Sequence, residues 1–387
     1  MSTNIKYDQK NVRKYHYFML LSLIQKHKSI SRSQLAELTK ISNTTVGKIV
    51  KDLIEDHLVI EVGQIEGDLG RRATLLEINP RGAYIIGVQI DVNNVNLALV
   101  SLNGNLMLKR NLIYDIKKEP EDVLSMIADE IEMLISDFGS DNKEKIIAIG
   151  ISIPGLVTWP DGKVLSVPQL QWYDIQVKSF LEQRLNYDIF VDNDVRSVLL
   201  AENLFGTIGK YKNAVCIYIG SGVGGAVMIN GEISRGTFNT LGEIGHTTLD
   251  RNGPLCSCGR LGCLQTYICS SELEKQAQKP VHEIFEAYHQ GKGWAKHLIH
   301  QARQCLGIAI SNVICSYNPE VVLLAGPMVQ EYPEIVEGIN DIANETVWAP
   351  LRNSFTLVKA DVGRDSGVIG ASALVLNEFL RHSNELS

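Results

Sequence analysis

The sequence has no apolar run of about eighteen residues, which excludes a membrane-spanning helix. It also lacks the apolar core of a secretory leader. The opening stretch, MSTNIKYDQKNVRKYHY, is polar throughout, which points to a cytoplasmic protein with no membrane partner. Cysteine is scarce. Seven in 387 residues are too few for a disulfide scaffold, and clustered cysteines in a reducing compartment more often bind metal. The chain has no basic excess either, with a net charge of −7. What is present is a 45% hydrophobic, 21% charged composition, that of a globular protein with two or three domains.

The charge is uneven. Residues 1–80 carry 12 Lys+Arg against 9 Asp+Glu, a net +3, which leaves −10 for the rest. A mildly basic head on an acidic body suits a nucleic-acid-binding module joined to a small-molecule domain.

The head reads as three helices and a hairpin. NVRKYHYFMLLSLIQKH places Val12, Tyr15, Phe18, Met19, Leu23 and Ile24 at helical spacing. Ser31 with Gln34 forms a capping box for a short helix to about Leu38. After the turn TKIS, a third helix is predicted over 43–56. Val46, Ile49, Val50, Leu53 and Ile54 form its buried stripe, and Thr44, Thr45, Lys48 and Lys51 lie opposite. This is the layout of a helix–turn–helix, whose second helix reads base edges in the major groove. Asn43, Thr44, Thr45 and Lys48 have the chemistry for that task, and Arg32 joins them as a candidate DNA contact. A plain three-helix bundle with a solvated face is the alternative. LVIEVGQ and ATLLEINP then read as the strands of a wing. Arg71 and Arg72 at its tip suit phosphates or a minor groove, or are an ordinary basic loop. Pro80–Gly82 marks the boundary between a head of residues 1–82 and a body of residues 83–387.

The body alternates strands and helices. AYIIGVQIDVNNVNLALVSLNGN, KIIAIGISIPGLV, NYDIFVDND, NAVCIYIGSGVGGAVMINGEI and PEVVLLAGPM all contain apolar strands, and SGVIGASALVLNEFL is a closing helix. Repeated αβ units suggest an α/β protein with two lobes. The turn with Gly220, Gly222, Gly224 and Gly225 suits close approach of a phosphate, or simply a tight hairpin. His246, Cys256, Cys258 and Cys263 offer one imidazole and three sulfurs, a set that suits a four-coordinate zinc, although three buried free cysteines would look the same. Four protein ligands leave no place for an activated water, so such a zinc is structural, one per chain. Cys216, Cys269, Cys305 and Cys315 lie in apolar runs and are expected in the core.

The ordered segments GISIPGLV, DNDVRSVLLAE, IGSGVGGAVMINGEISRG, LGEIGH and CSCGRLGC resemble the ROK family of bacterial sugar kinases and sugar-responsive repressors. The resemblance covers residues 83–387. With the head it extends over nearly the whole chain and is that of the xylose-repressor-type branch. It implies a two-lobed, actin-like or ribonuclease-H-like body with a small lobe of about 83–195 plus 371–387 and a large lobe of about 196–370. A sugar would lie in the interlobe cleft. The resemblance strengthens the zinc assignment and implies that Glu243 and His246 contact sugar hydroxyls. Asp194 matches the family's catalytic base, or persists as a plain acceptor for sugar.

Departures from the family pattern decide between kinase and repressor. The first phosphate loop, of Asp-x-Gly-Gly-Thr type in the kinases, is DVNNV here, so both glycines and the threonine are gone. Loss of that loop removes phosphate positioning, on which phosphoryl transfer depends. Gln169 stands where many members carry Asn, Gln265 where a sugar-binding Glu is usual, and Arg196 where small residues are usual. A neutral amide for a carboxylate weakens charge-assisted hydrogen bonds, so the effector is not simply glucose. The expectation is a sugar-responsive repressor of carbohydrate metabolism with no kinase activity, binding a pseudo-palindromic operator as a homodimer or homotetramer. Gln169, Asn193, Asp194, Glu243, His246 and Gln265 are its candidate effector residues. An active kinase with an appended DNA-binding head is the rival.

Overall fold

The computed structural model describes residues 9–66 and 72–381. These divide into two compact units, one formed by residues up to Phe205 together with those from Asp365 on, the other by Gly206–Arg364. Among the described residues no helix is long and apolar enough to cross a membrane.

The first unit opens with α1 (Gln9–His27), β1 (Ile30–Ser31), α2 (Arg32–Thr39), α3 (Asn43–Glu55), β2 (Val59–Glu66) and β3 (Arg72–Ile78). The strands pair antiparallel in the order β1-β3-β2, which makes the hairpin β2–β3 a wing. The expected capping box at Ser31 and Gln34 is formed. In α1 the fully buried positions are Leu20, Leu21 and Ile24, with Phe18 and Leu23 packed at their edge. The buried stripe is therefore shifted from the expected one, because α1 packs against more than one partner, β3 among them. It packs on α3 and also on the C-terminal helix, Ser366–Arg381, where Phe18 meets Phe379 edge to face at 5.3 Å.

The same unit continues with β4 (Tyr84–Asp91), β5 (Asn94–Ser101), β6 (Leu106–Ile113), α4 (Pro120–Phe138), β7 (Ile146–Ile153), β8 (Leu156–Val157), β9 (Val164–Val167), β10 (Trp172–Ile175), α5 (Val177–Arg184), β11 (Ile189–Asn193) and α6 (Asp194–Leu204). Its main sheet has the order β11-β7-β4-β5-β6, with β4–β5–β6 an antiparallel meander and β4–β7–β11 parallel. Alternation along β4 divides two cores. Tyr84, Ile86, Val88 and Ile90 face a cluster completed by α4, while Ile85 faces the C-terminal helix. On that second side, Ile85, Leu102, Ala148, Val375, Leu376 and Leu380 share one continuous core with Leu20, Leu35, Val46, Ile49 and Leu76 of the head. The C-terminal helix lies so close to the sheet that a Cβ on Gly150 would come within 1.8 Å of the Ala371 carbonyl oxygen.

The second unit repeats that plan. It contains β12 (Ala214–Ile219), β13 (Val223–Ile229), β14 (Glu232–Ser234), α7 (Gln265–Ile268), α8 (Ser270–Ala277), α9 (Val281–His289), α10 (Gly293–Tyr317), β15 (Val321–Ala325), α11 (Pro327–Glu331), α12 (Ile339–Thr346) and β16 (Thr356–Lys359). The sheet order β14-β13-β12-β15-β16 again joins an antiparallel meander to parallel strands. Both units thus have the mixed α/β character expected of the body. The expectation that all four remaining cysteines are core residues needs correction. Cys216 and Cys269 are buried, Cys305 is half-buried and Cys315 is exposed. Cys315 falls between the buried positions Val313 and Ile314 of α10 and the helix end, off its apolar stripe.

Candidate DNA, effector and metal sites

The candidate recognition helix is fixed at its start. Ser42 is the N-cap of α3, and its side chain accepts from the Thr45 amide at 3.2 Å. Val46, Ile49, Val50 and Leu53 are buried, which turns Asn43, Thr44 and Lys48 out to solvent. Thr45 is half-buried, its hydroxyl 2.9 Å from that of Ser42. Arg32 begins α2 and pairs with Glu61 of the wing at 2.6 Å. Arg71 lies outside the described residues, and Arg72 opens β3 opposite Glu66 in the ladder.

The candidate effector residues fall in both units. In the first, Asn193 ends β11 and caps α6. Its side-chain oxygen accepts from the Val195 and Arg196 amides at 2.9 and 3.2 Å, while its amide donates to the Gly155 carbonyl and to Asp194. Burial pushes the Asp194 carboxyl up to about 6, the hydrogen bond from the Val195 amide opposes it, and the charge of Asp91 adds to the rise. Arg196 is buried and pairs with the buried Asp192 at 3.0 Å. Gln169 sits on an exposed 3-10 turn, Pro168–Leu170. The DVNNV segment is a tight hairpin between β4 and β5. Asn93 takes φ +59° there, and the Asp91 carboxylate accepts from the Val92 amide at 2.7 Å.

In the second unit, a 3-10 turn at Ile244–His246 carries exposed Glu243 and half-buried His246. This turn is pressed onto β13 by two glycines. Gly242 has φ +109°, and a Cβ on Gly225 would lie 2.4 Å from its carbonyl oxygen. The segment 255–263 folds back on itself through single bridges, Leu255 with Leu261 and Cys263 with Thr248. This brings His246, Cys256, Cys258 and Cys263 together, their ligand atoms all within 4.8 Å of one another. Cys256 Sγ lies 3.6 Å from His246 Nδ1, and Cys258 Sγ lies 3.6 Å from Cys263 Sγ. A tetrahedral zinc with bonds of about 2.0–2.3 Å sets its ligands about 3.3–3.8 Å apart, so the donor set fits that ion in kind and these two pairs fit it in spacing. With Nδ1 turned to the sulfurs, Nε2 is the ring atom left for another partner.

One residue of this site went unread in the sequence, and another was read there only as an effector residue. Arg260 lies between the cysteines in sequence, and its guanidinium and the Cys258 thiolate favour each other's charged forms. The Arg260 backbone amide first, and its guanidinium after it, hold the Cys258 thiol down to about 6. The position of Arg260 within CSCGRLGC was a visible signal. Gln265 opens α7, and its Nε2 donates to Cys256 Sγ at 3.3 Å and to Ser257 Oγ at 3.2 Å. Nothing in the sequence pattern points to that contact, because it depends on the fold of the cysteine loop.

Residues 85–378 match the ROK family, and residues 18–60 match the winged helix-turn-helix DNA-binding family. The xylose repressor of Bacillus spizizenii is 30% identical over 378 residues, covering 96% of this chain and 98% of its own. A crystal structure of a ROK family transcriptional regulator, homologous to the E. coli MLC protein, superposes with a TM-score of 0.81 at 25% identity, covering 96% of this chain and 98% of its own. The ROK hexokinase of Thermus thermophilus superposes with a TM-score of 0.67 at 25% identity, covering 76% of this chain and 99% of its own.

Proposed function

Because this chain belongs to the ROK family and bears a winged helix–turn–helix head, we propose that it is a transcriptional repressor released or engaged by a sugar. The observation that carries the reading is the capped helix α3, whose exposed face offers Asn43, Thr44 and Lys48 to a major groove. A homodimer would present two such helices to half-sites about 34–36 Å apart on a pseudo-palindromic operator. Arg32, Thr45 and the wing-tip Arg71 and Arg72 complete the proposed DNA contacts.

The proposed effector is an aldopentose of the xylose type, after the name of the Bacillus relative. Gln169, Asn193 and Asp194 from one unit and Glu243, His246 and Gln265 from the other are its proposed ligands. Carboxylates and amides in that number suit a polyhydroxylated molecule. The sugar controls DNA binding only if it has different affinities for the DNA-competent and incompetent states. His246, Cys256, Cys258 and Cys263 would hold one structural zinc, which keeps the His246 turn fixed.

Kinase activity is absent in this reading. The hairpin DVNNV puts side chains where phosphates would need backbone, although Asp194 and the Gly220–Gly222 turn persist as the rival's best support. Purified protein, operator fragments and a panel of D-xylose, D-glucose and N-acetylglucosamine test these points together. D-xylose is expected to raise the melting temperature and shift operator affinity, with no sugar-dependent ADP release. ADP release at ordinary kinase rates would sink the repressor-only reading. Thr44→Ala with Lys48→Ala is expected to raise the operator Kd at least ~10-fold, read by gel shift, with the melting temperature unchanged.

A further inference from the structure

We propose that Gln265 is a positioning residue of the metal centre, its side-chain amide acting as the outer hydrogen-bond donor to the Cys256 thiolate. The inference rests on the reading that the Cys/His cluster holds a divalent metal.

Three thiolates and a neutral imidazole around a divalent ion leave one net negative charge. That charge needs donors around it. The Arg260 guanidinium supplies a compensating positive charge. Gln265 supplies a hydrogen bond, its Nε2 lying 3.3 Å from Cys256 Sγ. A thiolate only accepts, so the amide must face it nitrogen first. The carbonyl end is then the one turned outward. Its oxygen lies 3.9 Å from where a Cβ on Gly222 would stand. Ser257 Oγ, 3.2 Å away, accepts a second hydrogen bond from the same nitrogen.

A glutamate at 265 could not take this position. Ionised, it has no proton to give and would set a second anion against Cys256. The neutral side chain at 265 thus ties the start of α7 to the cluster that also holds His246. Outer partners of this kind orient the ligand and tune its bond to the ion.

The test uses the full chain. Zinc release to a chromophoric chelator is followed for the native protein, Gln265→Glu and Gln265→Ala. The cobalt(II) forms are compared by their thiolate-to-metal charge-transfer band, and circular dichroism confirms that each is folded. Gln265→Glu should release zinc at least ~10-fold faster than the native chain, with Gln265→Ala between them. Both variants should move the cobalt band to lower energy, because a thiolate without its donor gives up an electron more easily. Equal release rates, or faster release with an unmoved band, would overturn the role of Gln265 and leave the metal site standing. A native chain that takes up neither zinc nor cobalt would overturn the metal site itself.

Discussion

Asp194 holds its proton more tightly than an ordinary carboxyl because burial and Asp91 both disfavour its charge. The folded protein therefore binds more protons than the unfolded chain between the ordinary aspartate range and about pH 6. Stability must fall as pH rises through that window, and the loss is complete above it. Asp194→Asn removes the charge while keeping an acceptor for the Val195 amide. The variant should exceed the native protein by about 2 kcal/mol at pH 8, with the gap closing toward pH 4, read by urea denaturation. A gap that does not change with pH would contradict this account. At this scale the sequence was partly legible. The four Cys/His residues stood out because few residue types hold a metal, whereas Asn193, Asp194 and Glu243 were singled out by the family resemblance. The partner of Gln265 did not stand out, because Cys256, nine residues earlier, becomes its neighbour only through the fold of the cysteine loop.

Among the elements, the most local ones were the easiest to read. The capping box of α2 and the apolar stripe of α3 follow from contacts three and four residues apart. Ser42→Ala should destabilise by about 1 kcal/mol through loss of the α3 cap, measured by thermal melting. The C-terminal helix shows the opposite case. Its helical pattern was plain, but its depth against β7 depends on Gly150, more than two hundred residues earlier. A methyl there would collide with the Ala371 carbonyl, so Gly150→Ala should cost about 3 kcal/mol or more by urea denaturation. The shifted stripe of α1 has the same origin. A helix held by both α3 and a distant helix buries residues that its own periodicity does not select.

For the whole molecule, the head and the sheet below it are one folding unit rather than two beads. Leu20, Leu35, Val46 and Leu76 share their core with Ile85, Leu102, Ala148, Leu376 and Leu380. A fragment of residues 1–82 keeps its own part of the core but leaves the surface that meets Ile85, Leu102 and Leu376 facing water. It should show weak helicity by circular dichroism and rapid proteolysis, whereas residues 18–60 in the full chain should resist cleavage. Restoration of a stable head by the fragment alone would refute a shared core.

The meeting of Phe18 with Phe379 also sets an order in time. The first helix of the chain waits on its last. At roughly 5–20 residues per second, the ribosome needs on the order of half a minute to pass from the end of the head to the C-terminal helix. During that interval the head lacks part of its core, so a growing chain is a poor competitor for operator sites.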